Sequence, residues 1–157
     1  MVNMKWTAII CTALFFASCS KDKYTTVPQI EFKEFDPNQG SNLGGIDNQP
    51  HMVIEIRDSE GDLGFIDGSD TSRIYIRNML TNRIDSPILP NLGSAAGKNL
   101  KGDIVAGMFG VMGGRDLPSS QRPYVDTLQS EVYVKDFAGN KSNVIVTDEP
   151  FYYFTLP

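Results

Sequence analysis

From Val27 onward the apolar residues of this chain recur at every second position. That period builds strands, because successive side chains of a strand point to opposite faces. Ile30 and Phe32 alternate with Glu31 and Lys33. Met52, Ile54 and Ile56 alternate with Val53, Glu55 and Arg57, and Ile74 and Ile76 with Tyr75 and Arg77. Val132 and Val134 follow, then Val144 and Val146, then the aromatic run Phe151 to Phe154. The 14 Gly and 9 Pro fall between these runs, as turn punctuation. No stretch after residue 20 carries an amphipathic helix of useful length. Strands at this spacing without intervening helices predict an all-β, antiparallel β-sandwich of immunoglobulin-like type over residues 27–157. Residues 36–50 read as a loop rich in Gly, Asn and Asp. Residues 86–124 read as one or two strands around Lys101–Phe109 between long loops.

The first residues follow a different rule. Lys5 is the single early cation, Trp6 to Phe16 are almost wholly apolar, and Ala17 and Ser18 are small. This is the layout of a secretory signal peptide over residues 1–18, and the apolar run is shorter than the ~20 residues of a membrane span. Phe16-Ala17-Ser18-Cys19 resembles a bacterial lipobox, although that position usually holds an aliphatic residue rather than Phe16. The resemblance implies that Cys19 is acylated and becomes the new N-terminus, followed by a polar tether over 19–26. Two or more acyl chains hold a protein stably where one does not. Ser20 in place of aspartate favours the outer membrane, with its periplasmic or outer face left open. Cys11 would leave with the signal peptide, so the domain would have no thiol for a disulfide.

Charge and composition exclude several classes. The formal net charge is −5, with one His and two Cys. Without a cluster of Lys or Arg the chain lacks the footprint of a nucleic-acid binder. His51 has no His or Cys companion and reads as an exposed edge residue. Gly93 to Asn99 is one residue short of a phosphate loop, and Asn99 stands where the hydroxyl should be. Gly110 to Gly114 lacks the strand-then-helix setting of a dinucleotide site. No G-x-S-x-G element is present for a hydrolase nucleophile.

Two segments carry chemistry. In Ile56-Arg57-Asp58-Ser59-Glu60-Gly61-Asp62-Leu63-Gly64, the acids Asp58, Glu60 and Asp62 offer hard oxygens on alternate residues, with Asp67 and Asp70 nearby. Calcium takes roughly 6–8 such oxygens. In Val134-Lys135-Asp136-Phe137-Ala138-Gly139-Asn140-Lys141-Ser142-Asn143, Gly139-Asn140 suits a tight turn and Asp136 suits acceptance from its amides. In a sandwich both loops reach the same end, so Asp136 either serves its turn alone or joins a calcium site. The EF-hand pattern fails, since Leu63 occupies its glycine position and Ser69 its terminal glutamate.

Together the two segments resemble a group of small lipoproteins of the Bacteroidota that pair a D-x-E/D-G-D-I/L-G element with a V-K-D-x-A-x-N-x-S-N hairpin. The resemblance implies an immunoglobulin-like sandwich on an outer-membrane lipoprotein and no assigned activity. Asp126-Thr127-Leu128 resembles a Bacteroidota O-glycosylation acceptor, which marks Thr127. The acids cluster in one loop instead of flanking a groove, so the expectation is a non-enzymatic module anchored to the membrane, with an envelope protein or a glycan as partner. The alternatives are an accessory subunit of an outer-membrane uptake or secretion complex, or a glycan or peptide hydrolase. Partner recognition is expected in the 86–124 segment, and Phe151 to Phe154 is expected to pack alternate rings on the core.

Overall fold

Met52, Ile54 and Ile56 share one face of an eight-residue strand, and all three are buried. In this computed structural model, residues 25–45, 49–64, 71–92 and 97–157 are described; Cys19, Asp67, Asp70 and Gly93 to Ala96 lie outside them. The described strands are β1 (Gln29–Asp36), β2 (Gln39–Ser41), β3 (His51–Asp58), β4 (Arg73–Asn78), β5 (Ile84–Asp85), β6 (Leu100–Gly107), β7 (Tyr124–Leu128), β8 (Ser130–Lys135), β9 (Ile145–Val146) and β10 (Phe151–Thr155). A 3-10 turn at Ser119–Gln121 is the one helical element among the described residues.

One layer has the order β1-β3-β6, antiparallel throughout. Two further sheets have the orders β5-β4-β8-β9 and β2-β10-β7. β7 enters β8 across Gln129 alone, and β9 leads to β10 through residues 147–150. The sheets bury Ile54 and Ile56 with Ile74, Ile76, Val132, Val134 and Phe151 in a single core. Each such side chain contributes ~1.5–3 kcal/mol by leaving water. The chain is therefore an all-β sandwich.

Several expectations need correction. His51 is exposed, but it opens β3, the central strand of its sheet, and is not at an edge. The segment read as a loop over 36–50 contains β2, which pairs in parallel with β10 through Gly40 and Tyr153. Between Phe32 and Glu34 the register of β1 shifts by a bulge, so Phe35 rather than Glu34 turns inward. Val144 and Val146 are each 46% exposed, and Ile145 packs on the core instead. The 86–124 segment holds β6 where a strand around Lys101–Phe109 is expected, and its flanking loops are more than surface connections, since Leu89, Met108 and Val111 are core residues. Buried Asn78 holds part of it in place. Its Nδ2 donates to the carbonyls of Val111 (2.9 Å) and Gly113 (3.0 Å), while its Oδ1 accepts from the amides of Leu80 and Thr81.

In β10 the rings divide as expected. Phe151 is buried and Tyr153 packs against the core, while Tyr152 and Phe154 are exposed.

Candidate functional site

Asp58 ends β3 fully buried, at 0% exposure. Its Oδ2 accepts the amides of Glu60 (3.2 Å) and Gly61 (2.8 Å), a side-chain-closed turn. Gly61 has φ +79°, a left-handed conformation that glycine adopts without strain. Leu63 is then buried in the core, which anchors the far side of the loop.

Asp136 follows β8 and is 3% exposed. Its Oδ1 accepts the amide of Asn140 (2.8 Å) and its Oδ2 the side-chain amide of Asn140 (2.9 Å). Gly139 alone supplies the positive φ of this turn, at +85°. The remaining motif residues are structural as well. Ser142 Oγ accepts the amide of Val134 (2.9 Å), and Asn143 bonds both main-chain groups of Ile30, donating at 2.9 Å and accepting at 2.8 Å. Asn143 thereby joins the two layers in the manner of a strand residue, a role the spacing alone did not reveal.

The fold brings the two segments together. The amide of Phe137 donates to the carbonyl of Asp62 at 3.0 Å. The Asp62 carboxyl is pushed up to about 6, first by burial, then by the charges of Asp136 and Asp58. Oδ1 of Asp58 and Oδ1 of Asp62 are buried and have no hydrogen-bond partner. Among the described residues no Lys or Arg pairs with Asp58, Asp62 or Asp136. Glu60 differs from its neighbours: it is exposed and contributes only weakly to the charge felt by Asp62. Among the described residues, no three His, Cys, Asp or Glu side chains form a ready-made metal cluster. Asp67 and Asp70, the other acids of the sequence expectation, lie outside the described residues.

The acidic end is also where the described chain begins. Ser59 donates through its amide (3.3 Å) and its hydroxyl (2.7 Å) to the carbonyl of Thr25. The opposite end carries a groove of about 460 Å³ lined by Pro37, Gly40, Pro50, Met112, Phe154 and Leu156 among others. Met112 is the contribution of the 86–124 segment to this groove. Thr127 is exposed on β7, whereas Asp126 beside it is buried and bonded to the amide (2.7 Å) and Nε (2.6 Å) of Arg115.

No family model matches this chain, and no curated protein does. Among solved structures it is similar to a β-glucosidase from Kluyveromyces marxianus in complex with glucose, at 10% identity and a TM-score of 0.30. The match covers 83% of this chain but 15% of that one, and a likeness of this size carries neither a fold nor an activity across.

Proposed function

We propose that this chain is a lipid-anchored module of the bacterial outer membrane, immunoglobulin-like in plan, that binds or supports an envelope partner without catalysis. The observation that carries the reading is the sequence Phe16-Ala17-Ser18-Cys19 placed just ahead of a β-sandwich. The strand orders β1-β3-β6 and β5-β4-β8-β9 support the immunoglobulin-like plan. Five residues lie between Cys19 and Thr25, six steps that span at most about 22 Å. The acidic end would therefore face the bilayer and the groove between Pro50 and Phe154 would face away from it. Loops and grooves at the free end of a sandwich are where such folds meet partners.

Membrane fractionation with intact-mass measurement tests the anchor. The wild-type chain should partition with membranes, begin at Cys19 and carry the mass of its acyl chains. Cys19→Ser should be released. Retention of that variant in the membrane fraction defeats the reading. The same mass spectrum tests modification at Thr127, whose exposed hydroxyl supports it; a glycan mass that persists in Thr127→Ala rules that site out. Because Asp126 is buried against Arg115, an enzyme reading Asp126-Thr127-Leu128 would have to act before folding.

A further inference from the structure

We infer that the loop after β3 and the turn after β8 together bind a calcium-class divalent cation, with Asp58 and Asp62 as carboxylate ligands and Asp136 as the charge that completes the site. Asp58 and Asp136 are buried carboxylates, Asp62 is partly so, and none of the three pairs with a Lys or Arg among the described residues. Buried charge of one sign is costly unless an opposite charge compensates it. The geometry is more specific than a crowd of acids. Asp58 already spends Oδ2 on two amides, yet its Oδ1 is buried with no donor, and Oδ1 of Asp62 in the same loop shares that state. A cation is the partner that would satisfy both oxygens and the surplus charge together.

The donor chemistry selects among cations. Every group on offer is a hard oxygen, and His51 lies at the far end of β3, seven residues and ~23 Å away. Nitrogen- and sulfur-seeking metals therefore find no ligand. Calcium accepts irregular sets of oxygens and fills its shell from main-chain carbonyls and water, whereas magnesium demands near-octahedral geometry. With two carboxylate ligands from the described residues, the site belongs with extracellular modules that bind at ~10⁻⁴–10⁻³ M. The cation would staple the β1-β3-β6 layer to the β5-β4-β8-β9 layer. The inference does not depend on the anchor: the Cys19 experiment can fail while this one succeeds, and the reverse.

Thermal melts of the full chain in detergent micelles test it, in chelator, in 10 mM calcium chloride and in 10 mM magnesium chloride, each concentration being about 10-fold above the upper end of that range. Calcium should raise Tm by roughly 3–6 °C over chelator and magnesium by far less. Glu60→Gln, which alters only an exposed carboxylate, should keep the calcium shift. Asp62→Asn should lose the shift while melting no lower than wild type in chelator, because it removes a repelled charge and keeps an acceptor oxygen for the main chain. The inference is overturned by a wild-type Tm indifferent to calcium, by an equal response to magnesium, or by a full calcium shift in Asp62→Asn.

Discussion

The amide of Phe137 donates to the carbonyl of Asp62, and this bond ties a loop of one layer to a turn of the other. The two segments are over seventy residues apart in the chain, so the loop and the turn hold their shapes jointly. Asp58 and Asp136 each close their own turn, and the Phe137 bond fixes one turn against the other.

Asp58→Ala removes the acceptor of two amides at the buried end of β3. The expected loss is about 1–3 kcal/mol of unfolding free energy, read from urea titration. Asp58→Asn keeps an acceptor oxygen and should recover most of that loss. Equal destabilisation by both variants would show that the turn bonds do not hold the loop.

Glu55, 8% exposed, lies among Lys33 (3.1 Å), Arg57 and Lys101 (3.8 Å) on the outer face of β3. The hydrogen bond from Lys33 comes first, and the bond and charge of Arg57 add to it; together they outweigh burial and hold its carboxyl below the usual range. A carboxyl lowered in the folded state adds stability above its unfolded value, and that share is lost as pH falls through the folded value. Urea midpoints should therefore fall on acidification below about pH 4.5, and the Glu55→Gln curve should be flatter there. Parallel curves for the two proteins would remove Glu55 from the acid response.

Gly40 sits in β2 where a methyl group would lie 3.1 Å from Met112 Sδ, 3.1 Å from Phe151 Cζ and 3.2 Å from Pro50 Cγ. Gly40→Ala should therefore overpack the wall between core and groove and cost about 1–3 kcal/mol. Thermal melting against wild type measures it, and an unchanged Tm would mean that these neighbours yield freely.

Five of the strands were legible from period two alone: β1, β3, β4, β8 and β10 each bury the residues that the alternation picks out, up to the bulge in β1. β6 was legible only as a strand around Lys101–Phe109, and β2, β7 and β9 were not legible in this way. β2 is Gln39-Gly40-Ser41, which carries no alternation, and it is a strand because β10 offers it a parallel edge. β7 buries Asp126 and exposes Val125, opposite to the usual rule, because Arg115 satisfies the carboxylate. In β9 the alternation picked out Val144 and Val146, but three consecutive apolar residues fit either phase, and pairing of Ile145 with Val132 selects the other one.

By itself the sequence determined the class of fold, the two turn segments and their acids, since alternation and turn chemistry act within a few residues. Tertiary structure alone decided that Thr25 joins the acids at that end, that Asp58, Asp62 and Asp136 are desolvated while Glu60 stands apart, and that Asn143 bonds Ile30. Those relations depend on burial and register between segments distant in the chain. Local residue chemistry does not encode which charges will be desolvated together.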